Sequence, residues 1–265
     1  MRAYTGLILC LLLAGCAGNP LIETPAVNSR EQLIEGVNAR SAPIESLWTA
    51  GNFELWLVND GRTEYLNGSL NLLYLRPGRV MLVGSKAGAG RIFEMGVNQT
   101  HYWFTAYHDV NTTWFGRLDA TPRPDATLQA RPDAIVSVLG LDPIDPSQPG
   151  LEFDESKEGY RLRFGSERAV WYDRKTLDPK RIEVFDASAQ VLVEAEVSKR
   201  KRVEFTPGGS VMSEYHLRFP ATGSRMILRL NDPQPRRGNV PSPTTFRFDP
   251  IRVRSAEVVD LDAKP

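Results

Sequence analysis

Tyr160-Arg161-Leu162-Arg163-Phe164 decides the fold class. Apolar side chains recur at every second residue and arginines fill the positions between them, so an extended strand would carry one apolar and one charged face. The same period appears upstream, where Phe53, Leu55 and Leu57 alternate with Glu54, Trp56 and Val58. Asn59-Asp60-Gly61 supplies a turn, Leu70, Leu72 and Tyr74 resume the alternation, and Arg76-Pro77-Gly78 ends it. Residues 80–83, 92–97, 102–107 and 114–118 follow at hairpin spacing. Beyond Phe164, further strands are expected over 170–172, 182–185, 191–197, 203–205, 215–219 and 226–230, with a final segment at 253–261. Turns this regular predict a mainly β protein, an antiparallel meander of about eleven or more strands in one continuous sheet.

Two stretches break the period. Ser29 reads as an N-cap, with Glu31 and Gln32 in the first turn and Leu33, Ile34 and Val37 on one face. That helix is expected to end near 41–43, with 44–48 adding one more turn. Inside a proline-rich stretch at 121–149, Ala134, Ile135, Val138 and Leu139 keep helical spacing, which predicts a short second helix over 132–141. Another proline-rich loop is expected at 231–243.

The N-terminus carries an address. Arg2 gives a thin positive region, residues 7–14 are apolar, and Leu13-Ala14-Gly15-Cys16 closes the run. This run is far short of the roughly 20 apolar residues that span a bilayer. Residues 1–15 therefore read as a signal peptide cut between Gly15 and Cys16, residues 16–28 as a flexible tether, and 29–265 as a single domain of the mature protein, about 250 residues in all. Cys16 resembles the lipidated cysteine of bacterial lipoproteins. That resemblance implies a diacylglycerol on the sulfur and an acyl chain such as palmitate on the freed amine, hence anchoring to the membrane through Cys16. Ala17 is not the aspartate that retains such proteins in the inner membrane, so the resemblance implies the outer membrane, on its periplasmic face.

Composition narrows the choice of chemistry. Lys and Arg number 32, as do Asp and Glu, so a nucleic-acid partner is not implied. The two cysteines are Cys10, inside the signal, and Cys16, which leaves the mature domain without a disulfide. His101 and His108 are seven residues apart, so one strand would place them on opposite faces, and His216 shares the Arg218 face, expected to meet solvent. No metal-ligand spacing, nucleophile elbow or cofactor fingerprint appears, so no catalytic, cofactor or metal residue is assigned. Gly84-Ser85-Lys86-Ala87-Gly88-Ala89-Gly90 imitates a phosphate loop, but a strand-like segment follows it where a helix is needed, so a hairpin is expected. Lys199-Arg200-Lys201-Arg202 fits either anionic lipid headgroups or a solvated edge strand, and the edge strand is preferred. The run His101-Tyr102-Trp103-Phe104 with Tyr107, and Trp114-Phe115, put rings on both faces of their strands, which calls for cover on both sides: helices on one, and an inserted chain, a partner or ordinary core on the other.

The order of elements, with Leu72-Leu73-Tyr74-Leu75-Arg76-Pro77-Gly78-Arg79, Leu230-Asn231 and Phe246-Arg247-Phe248-Asp249-Pro250, resembles the LolA/LolB family of periplasmic lipoprotein carriers over residues 29–261. The last motif is similar to the family's Phe-x-Phe-x-x-Pro ending, with the proline one position early. The resemblance implies an unclosed β-barrel, a half-barrel wrapping a few helices, with acyl chains held in its concavity. Phe53, Leu55, Leu57, Leu70, Leu72, Tyr74, Tyr160, Leu162 and Phe164, from the strands that alternate most clearly, are then the candidate cavity lining or equally the structural core, since alternation does not say which face is concave. The implied function is non-catalytic binding of an acyl chain, a lipoprotein or a similar amphiphile. The alternative is an envelope assembly lipoprotein that docks protein partners without binding lipid.

Overall fold

A computed structural model describes residues 27–59, 61–108, 110–120, 132–235, 243–249 and 255–262. The signal peptide, Cys16, most of the tether, Asp60, residues 121–131 and Pro250 lie outside the described residues. So does most of the loop at 231–243, of which 231–235 and 243 are described.

The first helix, α1 (Arg30–Ser41), starts where its cap predicts: Ser29 Oγ accepts from the Gln32 N–H at 3.3 Å, and the Gln32 side chain accepts from the Asn28 N–H at 2.8 Å. The added turn expected at 44–48 is absent. Instead β1 (Ser46–Asn59) begins there, because Leu47 and Trp48 pair with Tyr74 and Leu73 of β2 (Arg62–Leu75) and the ladder captures the backbone. From β2 the chain runs as a meander through β3 (Arg79–Lys86), β4 (Gly90–Val97), β5 (His101–Ala106) and β6 (Thr112–Arg117). Gly88 and Gly90, both at positive φ, make the glycine-rich segment a β3–β4 hairpin.

After α2 (Pro132–Leu139) comes a second meander: β7 (Leu151–Ser156), β8 (Gly159–Phe164), β9 (Arg168–Tyr172), β10 (Pro179–Phe185), β11 (Val191–Arg202), β12 (Ser210–Phe219) and β13 (Ser224–Gln234). The strand expected at 203–205 is a turn. Phe205 takes φ 56°, and the Val203 N–H donates across the turn to the Gly209 carbonyl. The final strand β14 (Glu257–Asp260) is shorter than the 253–261 segment and pairs parallel to β6, the one departure from an antiparallel ladder among the described strands.

All fourteen strands form one sheet, in the order β14-β6-β5-β4-β3-β2-β1-β13-β12-β11-β10-β9-β8-β7. Its ends do not pair, so the barrel is open. The protein is mainly β, an unclosed antiparallel half-barrel with two helices, as the alternation predicts. Fourteen strands agree with the expected eleven or more, and β7 is the strand that was not among the expected segments.

The β1–β13 pairing joins the two meanders. Backbones approach so closely there that a Cβ on Gly51 would sit 2.0 Å from the Arg229 carbonyl oxygen, which only glycine avoids. Charged side chains cross the outer face of this seam. Arg229 of β13 pairs with Glu54 of β1, and its Nε lies 3.7 Å from Glu214 of β12, which also meets Lys199 of β11 and His216 Nε2 at 3.0 Å.

Hydrogen bonds from Lys199 and His216 hold the Glu214 carboxyl down to about 2, against an ordinary value of 4.5. A lowered carboxylate stabilises the fold where the unfolded chain would still take up the proton. This contribution is full above about pH 4.5 and is lost as pH falls through about 2. Glu214→Gln is expected to cost on the order of 1–3 kcal/mol at pH 7, with the difference in melting temperature from wild type shrinking as pH approaches 2. A difference that stays constant from pH 7 to pH 2 would count against this assignment.

Candidate ligand-binding site

Register places all nine expected lining residues on one face of the sheet. Phe53, Leu55 and Leu57 of β1 lie opposite Gly68, Leu66 and Glu64 of β2. Leu70, Leu72 and Tyr74 continue that face, and Tyr160, Leu162 and Phe164 of β8 reach it through the second meander. Eight of them are buried, while Leu57, at the hairpin end of β1, is 38% exposed. The buried eight belong to one apolar core with Leu33 and Ile34 of α1 and Ala134, Ile135, Val138 and Leu139 of α2, so the helices cover this inner face.

Inward tyrosines tie that cover down. Tyr74 Oη reaches the Leu141 carbonyl at 3.3 Å and Asp142 at 2.8 Å, and Tyr215 Oη reaches the Leu139 carbonyl at 3.3 Å. Tyr160 Oη accepts from the Val27 N–H at 3.2 Å. Burial pushes the Tyr74 and Tyr215 phenols above their ordinary value, so both stay neutral donors. Asn38 of α1 clamps the segment after α2, donating to the Ile144 carbonyl and accepting from its N–H, both at 2.7 Å.

Where α1, α2 and strands β9 to β12 meet, a cavity of about 90 Å³ remains. Val37, Ile44, Val138, Val170, Ile182 and Met212 give it apolar walls. None of the nine expected residues lines this cavity; it lies across the neighbouring strands of the same face. Its charged lining is Arg40, Arg168 and Arg200 with Asp142 and Asp178. Arg40 donates to the Leu177 carbonyl at 2.9 Å and to the Thr176 carbonyl, and meets Asp178 at 3.4 Å. Arg200 donates from Nε to the same Asp178 at 2.6 Å and to the Thr176 carbonyl at 2.9 Å. Desolvation, then the nearby Arg200 charge, lower the Arg40 pKa. Burial raises the Tyr172 phenol to about 12.

Arg168 escaped the sequence reading. Its signal was parity: it stands two and four residues before Val170 and Tyr172, so period two points it inward with them.

The remaining expectations are placed as follows. Lys199-Arg200-Lys201-Arg202 ends β11, a central strand, but it extends past β10 and pairs only with β12. Two of its four charges are bound, Lys199 to Glu214 and Arg200 to Asp178. The second face of the aromatic strands is covered by the protein's own C-terminal segment: Phe248 lies 5.4 Å from the Trp103 ring and 5.0 Å from Phe115. On the inner side, Phe53, Phe93, Phe104 and Trp114 form a chain of ring contacts. His216 is on the outer face and His101 Nδ1 lies 2.8 Å from Thr100 Oγ1.

No protein-family profile matches the chain, and no curated protein is similar to it in sequence. Solved structures are similar in fold. A LolA superfamily protein from Nitrosomonas europaea superposes with a TM-score of 0.53 at 12% identity, over 84% of this chain and 99% of its own. A domain named for outer-membrane lipoprotein sorting, from Vibrio parahaemolyticus, gives 0.52 at 12% identity, over 82% and 97%. A DUF1329 family protein from Desulfovibrio piger gives 0.54 at 9% identity, over 82% and 98%. The fold is thus that of LolA-like proteins, and at these identities the likeness is one of fold.

Packing separates the core from the cavity wall. Leu162 is fully buried away from the cavity, so Leu162→Phe is expected to overpack it at about 1–3 kcal/mol. Val170→Ile adds one methylene to a residue of the cavity wall, and is expected to be neutral or stabilising by up to about 1 kcal/mol. Chemical denaturation of both variants checks the contrast, and equal losses would refute it.

Proposed function

We propose that this protein is a non-catalytic lipoprotein of the outer membrane, anchored through acyl chains on Cys16, that binds the alkyl chain of an amphiphile or lipoprotein on its inner face. The observation that carries this reading is an unclosed sheet whose apolar face is covered by two short helices, with a cavity left between them. Fold likeness to proteins named for the LolA superfamily and for lipoprotein sorting supports it.

Size makes the binding mechanism specific. The cavity is smaller than the roughly 150 Å³ apolar void that admits a benzene ring, so an acyl chain enters only as the α2 cover moves. Uncovering Ile135, Val138 and Leu139 costs roughly 5–9 kcal/mol at the usual value for burying such side chains. A palmitoyl chain, with about fourteen methylenes at ~0.8 kcal/mol each, offsets that cost, and an octanoyl chain does not. Displacement of a neutral apolar dye is therefore expected to be saturable with palmitate and at least about tenfold weaker with octanoate. The small cavity equally favours the second reading, docking of envelope proteins without lipid. No dye uptake, with no lipid found by mass spectrometry of protein purified from membranes, would establish docking in its place.

Anchoring has its own test. Wild-type protein is expected in the outer-membrane fraction with acyl mass on an N-terminal peptide that begins at Cys16, and Cys16→Ser is expected to lose both. Processed wild-type protein without lipid, or fractionation with inner-membrane markers, would refute the anchor or its sorting.

A further inference from the structure

Arg168 is a partly buried cation in a largely apolar setting. Its register partners on the inner face are Phe164 of β8 and Val184 of β10, and its own strand adds Val170 and Tyr172. The guanidinium lies 4.0 Å from the Phe164 ring centroid and donates from Nη1 to the Ser137 carbonyl at 3.0 Å. Among the described residues these are its close polar and ring contacts, and none is a carboxylate. The Glu167 and Asp142 carboxylates act on it at longer range, through their charge. A guanidinium carries five N–H donors, so one carbonyl leaves most of that capacity unused, and Arg168 lines the cavity.

A partly buried cation with no carboxylate within hydrogen-bonding distance is costly, and such groups cluster at binding sites. The mouth has the same sign, since Arg40 and Arg200 share the single carboxylate of Asp178. Planar guanidinium groups match carboxylate and phosphate oxygens in pairs, which a lysine would not. The walls beside Arg168 are apolar. A ligand that satisfies both has a charged head and an alkyl tail.

We propose that the cavity takes an amphiphile with an anionic head, a carboxylate or a phosphate, held by Arg168, with its alkyl chain against Val170, Ile182 and Val138. The inference rests on the amphiphile reading above and adds the head group to it.

The test uses processed full-length protein and displacement of a neutral apolar dye by palmitic acid, hexadecyl phosphate and hexadecanol, which share a tail long enough to offset the cost of moving the cover. Wild type is expected to prefer an anionic head to the alcohol by about tenfold or more. Arg168→Gln is expected to bring that ratio close to one, whatever it does to absolute affinity, and Arg168→Lys to keep part of it. Circular dichroism and the dye itself report whether each variant is folded. Tighter binding of the phosphate assigns a lipid phosphate head, and tighter binding of the acid assigns a free fatty acid. A ratio near one in wild type, or an unchanged ratio in folded Arg168→Gln, overturns the head-group assignment and leaves amphiphile binding standing. Displacement by none of the three overturns the amphiphile reading and this inference together.

Discussion

The ladder between β1 and β13 is the contact on which the rest of the molecule depends. Each meander builds itself from local hairpins, but β1 and β13 are nearly two hundred residues apart, and only their pairing makes one sheet of two. Closing so long a loop costs entropy that local hairpins do not incur. The seam is correspondingly reinforced, with the longest strand pair of the fold on one side, a glycine where backbones nearly touch, and a line of ion pairs from β1 to β11 outside. The inner face is sealed along the same line, where Phe53 stands opposite Leu228 and Leu55 opposite Met226.

That seam also dictates the helical cover. With β1 and β13 at the centre, β6 and β7 lie toward opposite ends of the sheet, so the chain between them must travel across it. The apolar stripe of α2 is buried on that crossing, against residues of β4, β5, β10 and β11. Helix α1, entering β1 from the middle, covers the adjoining part and is tied to the far end by Arg30 donating to the Leu151 carbonyl. Two short helices of different origin cannot tile a curved sheet without a gap. The cavity lies where α1, α2 and the β9–β10 turn fail to meet.

Much of this was legible in the sequence because its causes are local. Ser29 announces α1 through its cap, the spacing of Ala134, Ile135, Val138 and Leu139 announces α2, and period two marks most strands. What was not legible depends on distant partners. Residues 46–48 became strand because Leu73 to Leu75 were there to pair with them, and the expected final segment pairs parallel to β6, which no local pattern announces. Residues 203–205 have strand composition, but the turn that follows forces a left-handed Phe205. For the site, alternation grouped nine residues that share one face, but it did not say that this face is the inner one. It could not say where on that face the helices leave room, which depends on how two separate segments pack. The best alternation marks the best-packed core, whereas the cavity is marked by a break in pattern, an arginine at an apolar parity.

The same logic explains why the sheet stays open. Its terminal strands are short, six residues in β7 and four in β14, and both carry acidic side chains: Glu152, Asp154 and Glu155 on one, Glu257 and Asp260 on the other. Short, charged edges resist pairing with any other strand, including each other, because like charges placed opposite repel. With the sheet open, its apolar face is covered by the two helices. That cover is held by apolar burial and by a few hydrogen bonds from Tyr74, Tyr215 and Asn38.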